Sequence, residues 1–285
     1  MAPTLYNYTF TEHTDPQAFL AETRDMLLKN EAVNNQTLGF LAGQPDPADV
    51  HRLTTIKLHG KCLGCALIPR ADQPLQLSPM PKNAAADLAA YLEKHNVTLN
   101  GVLGPEKTIG HFLKAWSAAS DSTTSPAIEL AINLGVFTTS KITPQAHEKS
   151  AALGMGLVAT PGQRDVLTAF CHGFMADCFP NENNRTEKAA QLAQMHLSNQ
   201  TALLWQTPEG EIVSVAAKQR QTPNMAAISL VYTPPEHRGK GYAAAAVTTL
   251  SQILLDASNK KCVLFADLNN PFTPDFYRKI GYSHI

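Results

Sequence analysis

The chain has 285 residues, 44% apolar and 16% charged, with a formal net charge of −1; it can bury ordinary cores, its length suggests about two domains, and it lacks the positive field that draws nucleic acid or acidic membranes. No apolar run reaches the ~20 residues that span a bilayer, and Met1-Ala2-Pro3-Thr4-Leu5-Tyr6 has neither the basic nor the apolar region of a signal peptide. Five cysteines fit reduced thiols better than a disulfide framework, so a cytoplasmic protein is expected, with no nucleic-acid or membrane partner.

In chain order, Asp15 to Asn30 reads as a helix with Phe19, Thr23, Met26 and Leu27 on one face. Leu53 to Leu58 and Cys62 to Ile68 read as strands joined at His59-Gly60-Lys61, and Leu75 to Ser78 as a shorter strand. Lys82 to Lys94 is predicted helical, Leu99 to Leu103 a short strand, and Glu106 to Ala118 a helix burying Ile109, Phe112, Leu113 and Trp116. Glu129 to Ile142 reads as a long strand and a crossing. A domain boundary is placed at 143–158, where Thr143-Pro144 and Thr160-Pro161-Gly162 punctuate the chain.

The second half repeats the pattern. Gln163 to Phe179 is a predicted helix with Leu167, Phe170, Cys171, Phe174 and Cys178 on its buried face. Thr186 is expected to cap a helix running through Leu197. Ala202–Gln206 and Ile212–Lys218 flank a hairpin turn at 207–211, and Ala227 to Thr233 is a strand. Gly241 to Ser258 is a helix, with Ala243, Val247, Leu250 and Leu254 spaced to pack on a sheet, and Cys262 to Asp267 is a buried strand. Thr273 and Pro274 open, and Gly281 closes, a short helix with Phe276, Tyr277 and Ile280.

The most chemically informative segment is Val231-Tyr232-Thr233-Pro234-Pro235-Glu236-His237-Arg238-Gly239-Lys240-Gly241-Tyr242-Ala243. A strand stops at two prolines, a loop follows with two glycines between basic residues, and an alanine-rich helix begins. Glycines let backbone N–H groups approach an anion, and the helix start adds roughly half a positive charge. The Walker frame G-x-x-x-x-G-K-[ST] is absent. Cys62-Leu63-Gly64-Cys65 has neither a second pair nor a nearby His-x-x-x-His, so no metal is expected. Cys171 and Cys178 read as core, and Glu236, His237, His172 and His196 as surface or packed groups. No glycine follows Leu75 to Ser78; Pro79 and Pro81 lack the donors an anion needs.

Arg238-Gly239-Lys240-Gly241-Tyr242-Ala243 matches the R/Q-x-x-G-x-G/A signature of the GNAT superfamily, and Asp267-Leu268-Asn269-Asn270-Pro271 with Phe276-Tyr277-Arg278-Lys279-Ile280-Gly281-Tyr282 resembles its second landmark. The resemblance is clear over roughly residues 200–285, extends plausibly from 160, and is closest to bacterial-type two-lobed GNAT proteins. It implies an α/β (α+β, mixed-sheet) fold: a degenerate GNAT-like N-terminal lobe at 1–148 and a GNAT acetyltransferase domain at 155–285, whose splayed mixed sheet is flanked by helices. By resemblance, acetyl-CoA is the acyl donor. Its pyrophosphate would lie on Arg238, Gly239, Lys240, Gly241, Tyr242 and Ala243. Its pantetheine would pair with Val231 and Thr233, an N–H near Val231 or Tyr232 would polarise the thioester carbonyl, and Asn270 would lie near the cofactor.

Tyr277 aligns with a tyrosine used as general acid; a phenol (pKa ~10) gives its proton to a thiolate (thiol pKa ~8.5) only uphill unless the site shifts a pKa. The acceptor implied is a small-molecule or peptide amine, the acyl group passing directly, and the protein a monomer or homodimer. Two features depart from the family: Pro274 stands where Asn is common, and Ile285 comes soon after Gly281-Tyr282, where the superfamily adds another strand or two. Either Glu129 to Ile142 completes the sheet or a strand is missing. A non-catalytic CoA-binding or protein-interaction module is the alternative.

Overall fold

A computed structural model describes residues 7–119, 128–257, 260–270 and 273–285. The chain divides into two units, Met1–Leu130 and Ala131–Ile285. The first comprises β1 (Thr9–Glu12), α1 (Pro16–Leu28), α2 (Asn35–Ala42), β2 (Arg52–Leu58), β3 (Lys61–Ile68), β4 (Leu75–Leu77), α3 (Lys82–Lys94), β5 (Val102–Leu103) and α4 (Glu106–Ala119). Asp15 sets the start of α1: its carboxylate accepts the Gln17 N–H at 2.9 Å, while Pro16 fills a position whose N–H would have no helical partner. The strands lie in sequence order, antiparallel except for the parallel pair β4/β5. Alternation along β3 divides the core. Cys65 and Leu67 pack with Phe19, Leu27, Leu38 and Leu41 of α1 and α2. Ala66 and Ile68 pack with Leu88, Leu92 and Phe112 of α3 and α4.

The second unit contains β6 (Leu134–Thr139), α5 (Pro144–Ala151), β7 (Met155–Val158), α6 (Arg164–Cys178), α7 (Arg185–Ser198), β8 (Ala202–Gln206), β9 (Ile212–Gln221), β10 (Met225–Tyr232), α8 (Tyr242–Asp256), β11 (Lys261–Asp267), α9 (Thr273–Ile280) and β12 (Ser283–His284). From β7 onward it repeats the first unit's succession of strand, two helices, three strands, helix, strand, helix. Among the described residues its seven strands lie in the order β12-β6-β11-β10-β9-β8-β7, and β10/β11 is a parallel pair.

β6 breaks the repeat. It follows α4 in the chain, yet it pairs with β11 from Cys262↔Thr139 to Asp267↔Leu134 and with β12 at Ser283↔Thr138 and His284↔Phe137. The stretch after Glu129 therefore completes the second sheet, and a short final strand follows Gly281-Tyr282 as well. Because the partners of β6 belong to the second sheet, the units part between Leu130 and Ala131. The punctuation at 143–158 instead brackets α5 and β7.

Other differences are local. α7 starts at Arg185, and its N-cap is Asn184, in a left-handed conformation (φ 55°) with no side-chain cap bond; Thr186 is inside the helix. β1, α2, α5, β7 and β12 were not anticipated; all are short. The strand expected from Leu99 contracts to Val102–Leu103. Ser258 and Pro271 lie outside the described residues.

Candidate active site

β10 and β11 create the central feature. They pair in parallel from Met225↔Lys261 to Ile228↔Leu264 and no further. Both strands continue, but toward other neighbours: β10 stays with β9 as far as Tyr232↔Val215, and β11 with β6 as far as Asp267↔Leu134. A wedge therefore opens between Ser229–Tyr232 on one strand and Phe265–Asp267 on the other.

A bulge in β10 accompanies the parting. The β9 register shifts between Ser229 and Tyr232, and Leu230 adopts φ 49°, a conformation costing a branched residue of order 1–3 kcal/mol. Its packing offsets that strain. Ile228 lies in the core beneath α8, and strict alternation would send Leu230 there too. The bulge turns Leu230 into the opposite core, among Leu167, Phe170 and Cys171 of α6, and leaves Val231 packed on the α8 side.

Beyond the bulge, hydrogen bonds fix the strand end. The buried Ser214 hydroxyl donates to the Tyr232 carbonyl at 3.0 Å. Its single proton being used there, the Thr233 hydroxyl 2.8 Å away is the donor in the second bond. The Tyr232 ring lies on α6 at Gly173, where an added Cβ would come within 2.2 Å of the phenol oxygen. Phe170 is 5.8 Å from that ring, centroid to centroid. Burial, then the Asp177 carboxylate, raise the Tyr232 pKa.

A 3-10 turn, Pro235–His237, leads into the glycine loop. Gly239 and Gly241 have φ 77° and 90°, in the region other residues avoid. At Gly239 a Cβ would meet open space; at Gly241 it would come within 3.1 Å of Leu153 Cδ1. Gly241 immediately precedes α8, and its carbonyl accepts the Ala245 N–H at 3.0 Å. The first amides of α8 have no preceding helical carbonyl to bond. Lys240 and Gly241 are exposed, and Tyr242 and Ala243 partly so. The open Gly239, the helix-start amides and an exposed lysine together suit a phosphate group. Arg238 is half-exposed and already engaged: Nε donates to the Thr233 carbonyl at 2.9 Å and Nη2 to Asp177 at 2.5 Å.

Tyr277 sits on α9 among aromatic rings, with centroids 5.6 Å from Phe137, 4.8 Å from Phe276 and 6.0 Å from Tyr282. Burial raises its phenol above the usual range, and the Cys178 thiol adds to the shift. Cys178 itself is exposed at the end of α6, unlike the buried Cys171; the heptad spacing carried it past the packed part of the helix. Its thiol is nonetheless raised to about 11, first by partial desolvation of the sulfur and then by the Asp177 and Asp267 carboxylates. Asn270 is exposed, and its N–H bonds the Asp267 carbonyl at 3.3 Å. Glu236 is exposed, whereas His237 is only partly so and lies 3.4 Å from Glu211. Cys262 is fully buried, with its thiol pushed up to about 12. Among the described residues, no group of three or more His, Cys, Asp and Glu side chains could hold a metal ion.

Four contributors escaped the sequence reading: Gly173, Asp177, Ser214 and the bulge at Leu230. Only Gly173, a lone glycine inside a helical pattern, carried a local signal.

Residues 169–282, all within the second lobe, match the acetyltransferase (GNAT) family. Three solved structures share the fold at low identity. An acetyltransferase of the GNAT family from Colwellia psychrerythraea is 12% identical, with 98% of this chain and 96% of that chain covered and a TM-score of 0.56. A GCN5-related N-acetyltransferase from Sphaerobacter thermophilus is 13% identical, with 97% and 92% covered and a TM-score of 0.59. A tandem GNAT protein from the clavulanic acid biosynthesis pathway is 11% identical, with 98% and 95% covered and a TM-score of 0.51. A search of curated proteins finds no significant match.

Proposed function

We propose that the second lobe binds acetyl-CoA and transfers its acetyl group directly to an amine. The observation that carries this reading is the parting of β10 and β11 beside a glycine loop at the start of α8. The site fits the cofactor. Backbone amides of 239–243 would hold the pyrophosphate with Lys240 nearby, and Val231 and Thr233 on the open flank of β10 would pair with pantetheine. When bound, the group supplies an activated acyl thioester. An N–H at Val231 or Tyr232 would then stabilise negative charge on the carbonyl oxygen, worth about 3 kcal/mol per donor. Cys262, buried and protonated, is unsuited to carry an acyl group, which supports direct transfer.

Tyr277 would act as a hydrogen-bond donor to the leaving sulfur and keep its proton, because its raised pKa widens the gap to the thiol. That same retention supports the alternative, a non-catalytic CoA-binding or interaction module. Asn270 would lie toward the cofactor. The acceptor would be a small-molecule or peptide amine. Five free cysteines suit a reducing compartment, the cytoplasm. The first lobe would bind no CoA.

Calorimetry with acetyl-CoA, together with CoA release across a panel of amines, tests the proposal. Saturable binding with turnover of at least one amine is expected; binding without transfer to any amine favours the module. Gly241→Asp should abolish binding by placing a charged side chain in the loop, and wild-type affinity in that variant would refute the cradle.

A further inference from the structure

Arg238 heads the loop motif, yet its side chain closes the loop from within. Thr233 is followed by Pro234 and Pro235, neither of which has an N–H, and the Arg238 Nε donates to the Thr233 carbonyl at 2.9 Å. Two backbone bonds, His237 N–H to Pro234 O at 2.9 Å and Arg238 N–H to Pro235 O at 3.2 Å, tighten the same turn. The far end of the guanidinium reaches Asp177 at 2.5 Å, and its carbon lies 5.7 Å from the centroid of the Tyr232 ring. Tyr232 in turn rests on Gly173, one helical turn before Asp177. One side chain thus joins the end of β10, the loop and the last turn of α6.

We propose that Arg238 is a positioning residue, which with Asp177 holds the loop amides in place while Lys240 and the amides themselves meet the phosphates. To reach a phosphate, the guanidinium would have to abandon both Asp177 and the Thr233 carbonyl. With both partners about half-exposed, the pair adds little to global stability; its effect is on loop geometry. This inference rests on the acetyl-CoA reading.

The test compares wild type with Arg238→Ala, Arg238→Lys, Asp177→Ala and the Arg238→Ala/Asp177→Ala double variant. CoA affinity is measured by calorimetry, and amide exchange over 239–243 is measured in cofactor-free protein. Each single variant should weaken CoA about fivefold, and the double variant no further. Lysine should not rescue, because it lacks the fork that spans two acceptors. Exchange over 239–243 should speed up in every variant. The proposal is overturned if Asp177→Ala binds CoA as tightly as wild type or more so while Arg238→Ala weakens it, which would make Arg238 a phosphate ligand. Unchanged exchange over 239–243 overturns it as well. A wild-type protein that binds no CoA would refute the cofactor reading alone, and the exchange comparison would still decide the role of Arg238.

Discussion

A fragment starting at residue 155 should fail to fold, whereas one starting at 131 should fold cooperatively. The difference between them contains β6 and α5. Losing β6 strips β11 of the whole ladder from Cys262↔Thr139 to Asp267↔Leu134 and removes the sheet partner of β12. At about 1 kcal/mol net for each hydrogen bond, the ladder alone represents roughly 6 kcal/mol. Phe137, 1% exposed between the Tyr277 and His284 rings, leaves a hole costing about 3–5 kcal/mol more. The sum is comparable to the whole stability of an ordinary domain, about 5–15 kcal/mol. Thermal melts by circular dichroism and amide NMR dispersion would distinguish the fragments. A cooperative melt for 155–285 within a few degrees of that for 131–285 would refute the reasoning. In the full chain, Phe137→Ala tests the packing contribution by itself, with an expected loss of about 3–5 kcal/mol by denaturant titration.

Three other outcomes are expected. Tyr277→Phe should lower turnover about tenfold with little change in acetyl-CoA affinity, and the wild-type pH–rate profile should show no limb from Tyr277 below pH ~10, because its pKa is raised; equal turnover would remove its role. His196 is buried beside Thr201, its Nδ1 2.8 Å from the hydroxyl, and desolvation lowers its pKa from 6.5 to about 4. Its folded value is depressed, so its contribution is complete above pH 6.5 and is lost as pH falls through 4, with a slope of up to about 1.4 kcal/mol per pH unit that His196→Asn should flatten in denaturant titrations. Gly173→Ala should weaken CoA binding, because its Cβ drives the Tyr232 ring off α6; the overpacking of about 1–3 kcal/mol is offset in part by the ~1 kcal/mol that alanine gains over glycine inside a helix, so CoA affinity is the readout, and wild-type affinity would contradict the role of that contact.

What could be read from the sequence had local causes. The strand, double proline, paired glycines and helix start at 231–243 announce themselves because each residue dictates its own backbone geometry, and α8 begins where Gly241 ends. The wedge could not be read so directly: it depends on which neighbours β10 and β11 keep, and pairing between distant strands leaves no local mark. Leu230 shows the same limit, since nothing about a leucine in an apolar run announces a positive φ. The ion pair between Arg238 and Asp177 could not be read either, because the two residues are remote in sequence. Cys178 looked buried because periodicity sees a helix face but not where the covering layer stops.

The two lobes show how little distinguishes a closed seam from an open one. Each has a parallel strand pair followed by a loop and a helix. In the first lobe, β4 and β5 remain tight beyond their paired residues: a Cβ on Gly104 would come within 2.7 Å of the Leu77 carbonyl oxygen. The chain then runs through Pro79 to Pro81, which caps α3 without any side-chain bond, and prolines have no N–H to offer an anion. In the second lobe, pairing lapses after Ile228↔Leu264, a bulge turns β10, and glycines replace prolines before the helix. A cofactor that must lay an extended arm against a strand and a diphosphate against amides needs both the lapse and the glycines. Either alone would leave half a site, so their coincidence in one lobe, and the absence of both from these positions in the other, argues for a paired requirement rather than two independent accidents of sequence.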